Sequence, residues 1–196
     1  MKTTNVLLVG VGGQGTVLAS KILTKGLIEA GYDVKMSEIH GMSQRGGSVS
    51  TQVRFGSEVY SAVIGNGEAD ILVSFEAMEA LRYLYMLKPD GIVITNDVEL
   101  PSAPITAGLA RYPEGVLDEV KSKVKTYVIS ATRYAEELGN PKVANIILFG
   151  ALGKILNLDS IDWEKVISTT VKPKFIDINI EAYRLGQKLV GEEYAK

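Results

Sequence analysis

The sequence contains no cysteine. A disulfide framework, a thiolate nucleophile and a thiolate-held iron–sulfur cluster are therefore excluded within this chain. Histidine occurs once, at His40, so a metal site of the usual His and Cys ligands lacks its donors. No apolar run approaches the roughly 20 residues that a membrane-crossing helix needs. The apolar stretch at residues 6–9 is too short for a signal peptide and runs straight into glycines. A long basic run is also missing, and 21 Lys and Arg against 23 Asp and Glu leave a net charge of −2. That balance gives no electrostatic case for nucleic acid or an anionic membrane. The expectation is a soluble, cytoplasmic protein.

What is present suits an α/β fold. Apolar residues make up 46% of 196, enough for a substantial core and one domain over residues 1–196. Residues 5–9 form a continuous apolar run, as in a strand buried on both faces. Residues 16–29 are periodic, with Leu18, Ala19, Ile22 and Gly26 on the side facing a sheet, and Gly31 stops the helix. With a strand at 32–37, residues 5–38 have the length of a βαβ unit. Strands at 48–54 and 59–64, joined at Phe55-Gly56-Ser57-Glu58, predict a hairpin. A strand at 71–75, a helix at 76–87, a turn at Pro89-Asp90-Gly91 and a strand at 92–95 make a second βαβ unit. Residues 101–113 hold three prolines and predict an extended loop or a small excursion, followed by a helix at 114–123 and a strand at 126–129. Helices at 131–138, 142–156, 163–169 and 175–190 follow, with a solvated end at 191–196. The expected fold is α/β and Rossmann-like, with a mixed, mostly parallel sheet, a hairpin after the first βαβ unit and C-terminal helices.

Two glycine-rich loops bracket the first βαβ unit. The first, Gly10-Val11-Gly12-Gly13-Gln14-Gly15, contains the G-x-G-x-x-G spacing at Gly10, Gly12 and Gly15. Such a turn brings a phosphate to backbone N–H groups at a helix start. Glu38, at the end of the second strand, then stands where a dinucleotide enzyme keeps its ribose-binding acid. The same turn also serves simply to pack a helix against a sheet. Gln14 offers an amide at the helix start for a polar group or a partner's backbone. The second loop, Glu38-Ile39-His40-Gly41-Met42-Ser43-Gln44-Arg45-Gly46-Gly47, gathers the single His, an Arg and three glycines. Arg45 beside Gly46 and Gly47 suits a phosphate or carboxylate; the plainer role is a surface ion pair. A lone His is more often structural than catalytic, and no catalytic residue is assigned. Gly10, Gly12, Gly13, Gln14, Gly15, Glu38, His40, Gly41, Gln44, Arg45, Gly46 and Gly47 form the candidate ligand or partner-contact set. Glu76 and Asn96, at strand ends, read first as helix caps. Asn145 and Asn179 sit in apolar helices and need hydrogen-bond partners there.

These two loops resemble those of the beta subunits of indolepyruvate ferredoxin oxidoreductases. More widely, the chain is similar to the gamma subunits or domains of the 2-oxoacid:ferredoxin oxidoreductases. Ala69-Asp70-Ile71-Leu72-Val73, Glu76 and Glu79-Ala80-Leu81-Arg82 extend the likeness, as do Asn145 with Gly150-Ala151-Leu152-Gly153 and Asn179 with Ala182 and Gly186. The resemblance implies one pyruvate/ketoisovalerate oxidoreductase gamma-type domain. It implies a subunit that supports oxidative decarboxylation of a 2-oxo acid such as an aryl pyruvate, with coenzyme A taking the acyl group and ferredoxin the electrons. It places thiamine diphosphate, magnesium and 4Fe-4S clusters on a large alpha subunit, with no cofactor held by this chain alone. The absence of cysteine and of a Gly-Asp-Gly signature is consistent with that division. A self-sufficient NAD(P)-dependent dehydrogenase and a ligand-free assembly scaffold are the alternatives.

Overall fold

The computed structural model describes residues 2–40 and 46–194, without the side chains of His40 and residues 192–194. The apolar run near the start becomes β1 (Thr4–Val11), and α1 (Thr16–Glu29) follows the first glycine loop. Then come β2 (Asp33–His40), β3 (Ser48–Gly56), β4 (Ala69–Ser74), α2 (Ala77–Arg82) and β5 (Leu87–Asn96). The chain continues through α3 (Ala103–Thr106), α4 (Val116–Lys123), β6 (Lys125–Ile129) and α5 (Ala131–Glu137). It closes with α6 (Ala144–Leu156), α7 (Trp163–Ser168) and α8 (Ile176–Tyr194).

The strands form one sheet in the order β2-β3-β1-β4-β5-β6. β1, β4, β5 and β6 are mutually parallel, and β3 runs antiparallel to both β1 and β2. The mixed, mostly parallel sheet and the C-terminal helices are as expected, but the hairpin's arms differ. They are β2 and β3, joined by residues 41–47, and β3 inserts between the two parallel strands of the first βαβ unit. Residues 59–64 are not a strand. Their backbone is held instead by side chains: Ile64 N donates to Gln52 Oε1 at 2.6 Å, Arg54 donates to the carbonyls of Ser61 and Val63, and Val59 N donates to Asp33 Oδ2. Val59 and Ile64 are buried beneath this segment, which produces a strand-like alternation without a ladder.

The helix expected at 76–87 ends at Arg82, and a 3-10 turn at Leu84–Met86 leads directly into β5. Pro89-Asp90-Gly91 is not a turn before the strand. It lies within β5, where the register to β4 shifts between Ala69 and Ile71. Proline is tolerated in a strand at such an irregularity.

The helices divide between the two faces. α1, α5, α6, α7 and α8 share one apolar cluster, while α2 and α4 cover the other face around Leu7, Val9, Leu72 and Val93. Every residue of α6 from Asn145 to Gly153 is buried, as an all-round apolar helix requires. Its approach to α8 depends on two glycines: a Cβ on Gly150 would lie 2.1 Å from the Tyr183 carbonyl oxygen, and one on Gly186 1.9 Å from that of Ile147. Because β1 leads to α1 on one face and β4 leads to α2 on the other, a crevice opens where these two parallel strands end.

Candidate functional site

The first glycine loop turns at that crevice. A Cβ on Gly10 would lie 2.9 Å from Phe75 Cβ, so only glycine lets β1 end against β4 here. Gly15 opens α1 with φ 83°, in the left-handed region, and a Cβ there would meet Asn145 Nδ2 at 2.4 Å. Gln14 does not present its amide outward as expected. Its Oε1 accepts from Val11 N and its Nε2 donates to the Phe75 carbonyl, both at 2.7 Å. The side chain is thus a strap across the ends of β1 and β4. No neighbouring residue in the sequence signals this, because Phe75 is brought up by the parallel pairing.

The fold joins the two glycine loops. Gly12 N donates to the Gly47 carbonyl at 2.8 Å, and Gly46 N donates to the Gly12 carbonyl at 3.3 Å. Gly46 takes φ 78°, so this exit from the second loop is glycine-dependent. Gly41, Gln44 and Arg45 lie outside the described residues, as does the His40 side chain.

Glu38 lies further from the first loop than in a plain dinucleotide fold. Its strand pairs with β3 (Glu38 opposite Thr51), and Thr51 in turn stands opposite Leu8 of β1. One extra strand adds about 4.8 Å to the separation. A shallow cleft of about 290 Å³ still runs from Gly12, Gly13 and Val17 across Thr51 to Glu38, and Ser20 Oγ lies 3.5 Å from the Glu38 carboxylate. This insertion removes the adjacent-strand geometry on which the dinucleotide reading rests.

Two buried carboxylates hold the surroundings. Glu79 is 4% exposed; it accepts from Ser48 Oγ at 2.5 Å and from Arg82 Nε at 2.9 Å. Ser48 begins β3, so Glu79 anchors the exit of the second loop to α2. Glu76, 1% exposed, caps α2 by accepting from Glu79 N at 2.9 Å. Its other oxygen accepts from Leu100 N at 3.1 Å and Tyr112 OH at 2.6 Å. One carboxylate therefore ties down both roots of the proline-containing excursion. Burial, then the bond to Glu76, pushes the Tyr112 phenol well above its ordinary range. The Glu76/Glu79 spacing is that of a capping box, which foretells the cap but not the reach of Glu79 to Ser48.

Asn96 caps as expected, its Oδ1 accepting from Ala131 N at 3.0 Å. Asn179 Nδ2 donates to the Phe175 carbonyl at 2.7 Å, and Asn145 Nδ2 to that of Gly15 at 3.1 Å. Among the described residues, no group of three or more His, Cys, Asp or Glu is placed to hold a metal ion. No helix there is long and apolar enough to cross a membrane.

The family model for pyruvate ferredoxin/flavodoxin oxidoreductase matches residues 5–189. The chain is 42% identical to indolepyruvate oxidoreductase subunit IorB of Thermococcus kodakarensis, over 98% of each chain. In fold it is similar to the keto/oxoacid ferredoxin oxidoreductase gamma subunit of Geobacter sulfurreducens, with a TM-score of 0.71 at 21% identity, covering 96% of this chain and 99% of that one. It is also similar to part of the 2-oxoglutarate:ferredoxin oxidoreductase of Magnetococcus marinus, with a TM-score of 0.75 at 21% identity, covering 98% of this chain and 32% of that longer one. Matched along nearly its whole length, the chain belongs to the pyruvate ferredoxin/flavodoxin oxidoreductase family.

Proposed function

We propose that this chain is the small, cluster-free subunit of an indolepyruvate or related aryl-pyruvate ferredoxin oxidoreductase. The observation that carries the proposal is the 42% identity to an indolepyruvate oxidoreductase subunit over 98% of both chains. The composition supports the division of labour, since a chain without cysteine cannot ligate an iron–sulfur cluster by thiolates. The partner is a large alpha subunit that holds thiamine diphosphate, magnesium and 4Fe-4S clusters. Thiamine diphosphate supplies the carbanion chemistry of decarboxylation there, coenzyme A takes the acyl group, and the electrons pass to ferredoxin in the cytoplasm.

This chain's own contribution is the rim made by its two glycine loops. The Gly12–Gly47 and Gly46–Gly12 bonds fix the exit of the second loop against the first, and Ser48–Glu79 fixes it against α2. A guanidinium at Arg45 next to that fixed point suits the partner subunit or an anionic ligand group at the shared site. The chain by itself has no turnover on this proposal.

The test mixes the purified alpha subunit with the parent chain or with Arg45→Ala. The proposal expects a stable complex and ferredoxin reduction with the parent, and weaker assembly or slower turnover with the variant. Unchanged assembly and unchanged turnover would remove Arg45 from the account. Titration of the isolated chain with NADH and NADPH separates the dehydrogenase alternative, which requires micromolar binding.

A further inference from the structure

We infer that a second ligand site lies behind the first glycine loop, in the cleft bounded by α1, α5 and α6, and that it takes a small organic anion bearing an N–H or O–H donor. The inference goes beyond the proposed function and stands on the cleft alone. The cleft measures about 540 Å³. Leu18, Phe75 and Leu148 give it an apolar wall, Thr132, Lys142 and Asn145 give it polar groups, and none of its lining residues is acidic.

Two features favour an anion. The 14-residue α1 begins at this cleft, at Gly15–Thr16, with no side-chain cap and no acidic residue in its first turn. Its positive end is therefore uncompensated. Lys142 adds a full charge at the mouth, and it forms no ion pair among the described residues.

An independent feature calls for a donor on the same ligand. Asn145 is 4% exposed, and its buried Oδ1 has no hydrogen-bond partner among the described residues. Its Nδ2 is committed to the Gly15 carbonyl at 3.1 Å. Turning the amide over would set oxygen against oxygen there, so the free atom is the acceptor. A buried amide oxygen left unpaired is costly, and this one belongs to a residue that lines a cleft. Thr132 Oγ1 accepts from Asn96 Nδ2 at 2.9 Å, which leaves its hydroxyl proton to donate. Ammonium, hydroxyl and helix N–H groups thus meet an anionic head, and Asn145 Oδ1 meets an N–H or O–H on the ligand body.

The test titrates the isotope-labelled full chain with two pairs of probes. One pair is indoleacetate and its N-methyl derivative; the other is glycerol phosphate and methyl phosphate. In each pair the second member keeps the anion and lacks the donor, and the two pairs distinguish a carboxylate from a phosphate head. The expected result is a saturable shift of the Asn145 side-chain amide resonance by one donor-bearing probe, with a Kd below about 1 mM. Its donor-free counterpart should bind at least about fivefold more weakly, as the loss of one hydrogen bond to a buried acceptor requires. The exposed exchange Lys142→Ala, which threatens no core contact, should weaken binding by about fivefold. No saturable shift in either pair, equal affinity within a pair, or an Lys142→Ala variant that binds like the parent would each overturn the inference. An ordered water on Asn145 Oδ1 that neither donor-bearing probe displaces would overturn it too. None of these readouts uses the alpha subunit, so failure here leaves the proposed function intact.

Discussion

Gln14→Glu keeps the size and shape of the strap across β1 and β4 and replaces a donor nitrogen with an acceptor oxygen. The bond from Val11 N at 2.7 Å survives. The bond from Nε2 to the Phe75 carbonyl at 2.7 Å becomes a contact between two oxygens. Losing one such bond costs about 1 kcal/mol, and setting a carboxylate oxygen against the Phe75 carbonyl, which keeps only the long bond from Asn96 Nδ2 at 3.4 Å, adds about 1–3 kcal/mol. A stronger, charge-assisted bond from Val11 offsets part of this. The net expectation is a destabilisation of about 2–3 kcal/mol near pH 7. The oxygen contact disfavours the ionised form, so the introduced carboxyl has a raised pKa in the folded state. A raised folded pKa stabilises below the unfolded value and ceases to do so as pH rises through the folded value. Protonation also restores a donor to Phe75, so the penalty shrinks as pH falls. Gln14→Ala loses both bonds, admits water, and should cost about 1–2 kcal/mol at either pH. Urea unfolding of both variants against the parent, at about pH 5 and about pH 7, measures these differences. A Gln14→Glu variant as stable as the parent near neutrality, or equally penalised at both pH values, would refute the reasoning.

Gly186→Ala should destabilise by about 3 kcal/mol or more, because its Cβ would lie 1.9 Å from the Ile147 carbonyl and force α6 and α8 apart; a thermal midpoint within a degree or two of the parent would contradict this. Tyr112→Phe removes the bonds to Glu76 and from Met78 N, and urea unfolding should show a loss of about 1.5–3 kcal/mol. The raised phenol pKa of Tyr112 contributes stability that is full below its unfolded value near about 10 and is lost as pH rises through the higher folded value. The parent should therefore lose stability in alkali more steeply than Tyr112→Phe. Glu79→Gln weakens the anchors to Ser48 and Arg82, and hydrogen exchange should quicken at Gly12 and Gly46 while protection in α6 is retained.

Local signals carried much of the fold. The apolar run at the start of β1, the glycines after it and the all-round apolar character of α6 each follow from short stretches of sequence. The errors came where distant residues supplied the hydrogen bonds. Residues 59–64 alternate like a strand, yet Gln52, Arg54 and Asp33 satisfy their backbone. The placement of β3 between β1 and β2 is a choice among pairings that no single segment encodes. The candidate site was legible to a similar extent. Glycine spacing located both loops, and the fold brings Gly12 against Gly46 and Gly47. The inward use of Gln14 and the reach of Glu79 to Ser48 depend on Phe75 and the start of β3 being folded alongside. Asn145 was legible as a polar residue needing a partner, but which of its atoms stays unpaired was not.

The central claim is that this polypeptide works only with a larger companion. Ferredoxin reduction driven by indolepyruvate and coenzyme A, measured with the purified chain alone and again after adding a cysteine-rich alpha subunit, tests it most directly. The account predicts no reduction by the chain alone and sustained reduction by the pair, with both chains eluting together. Ferredoxin reduction by the chain alone would contradict it.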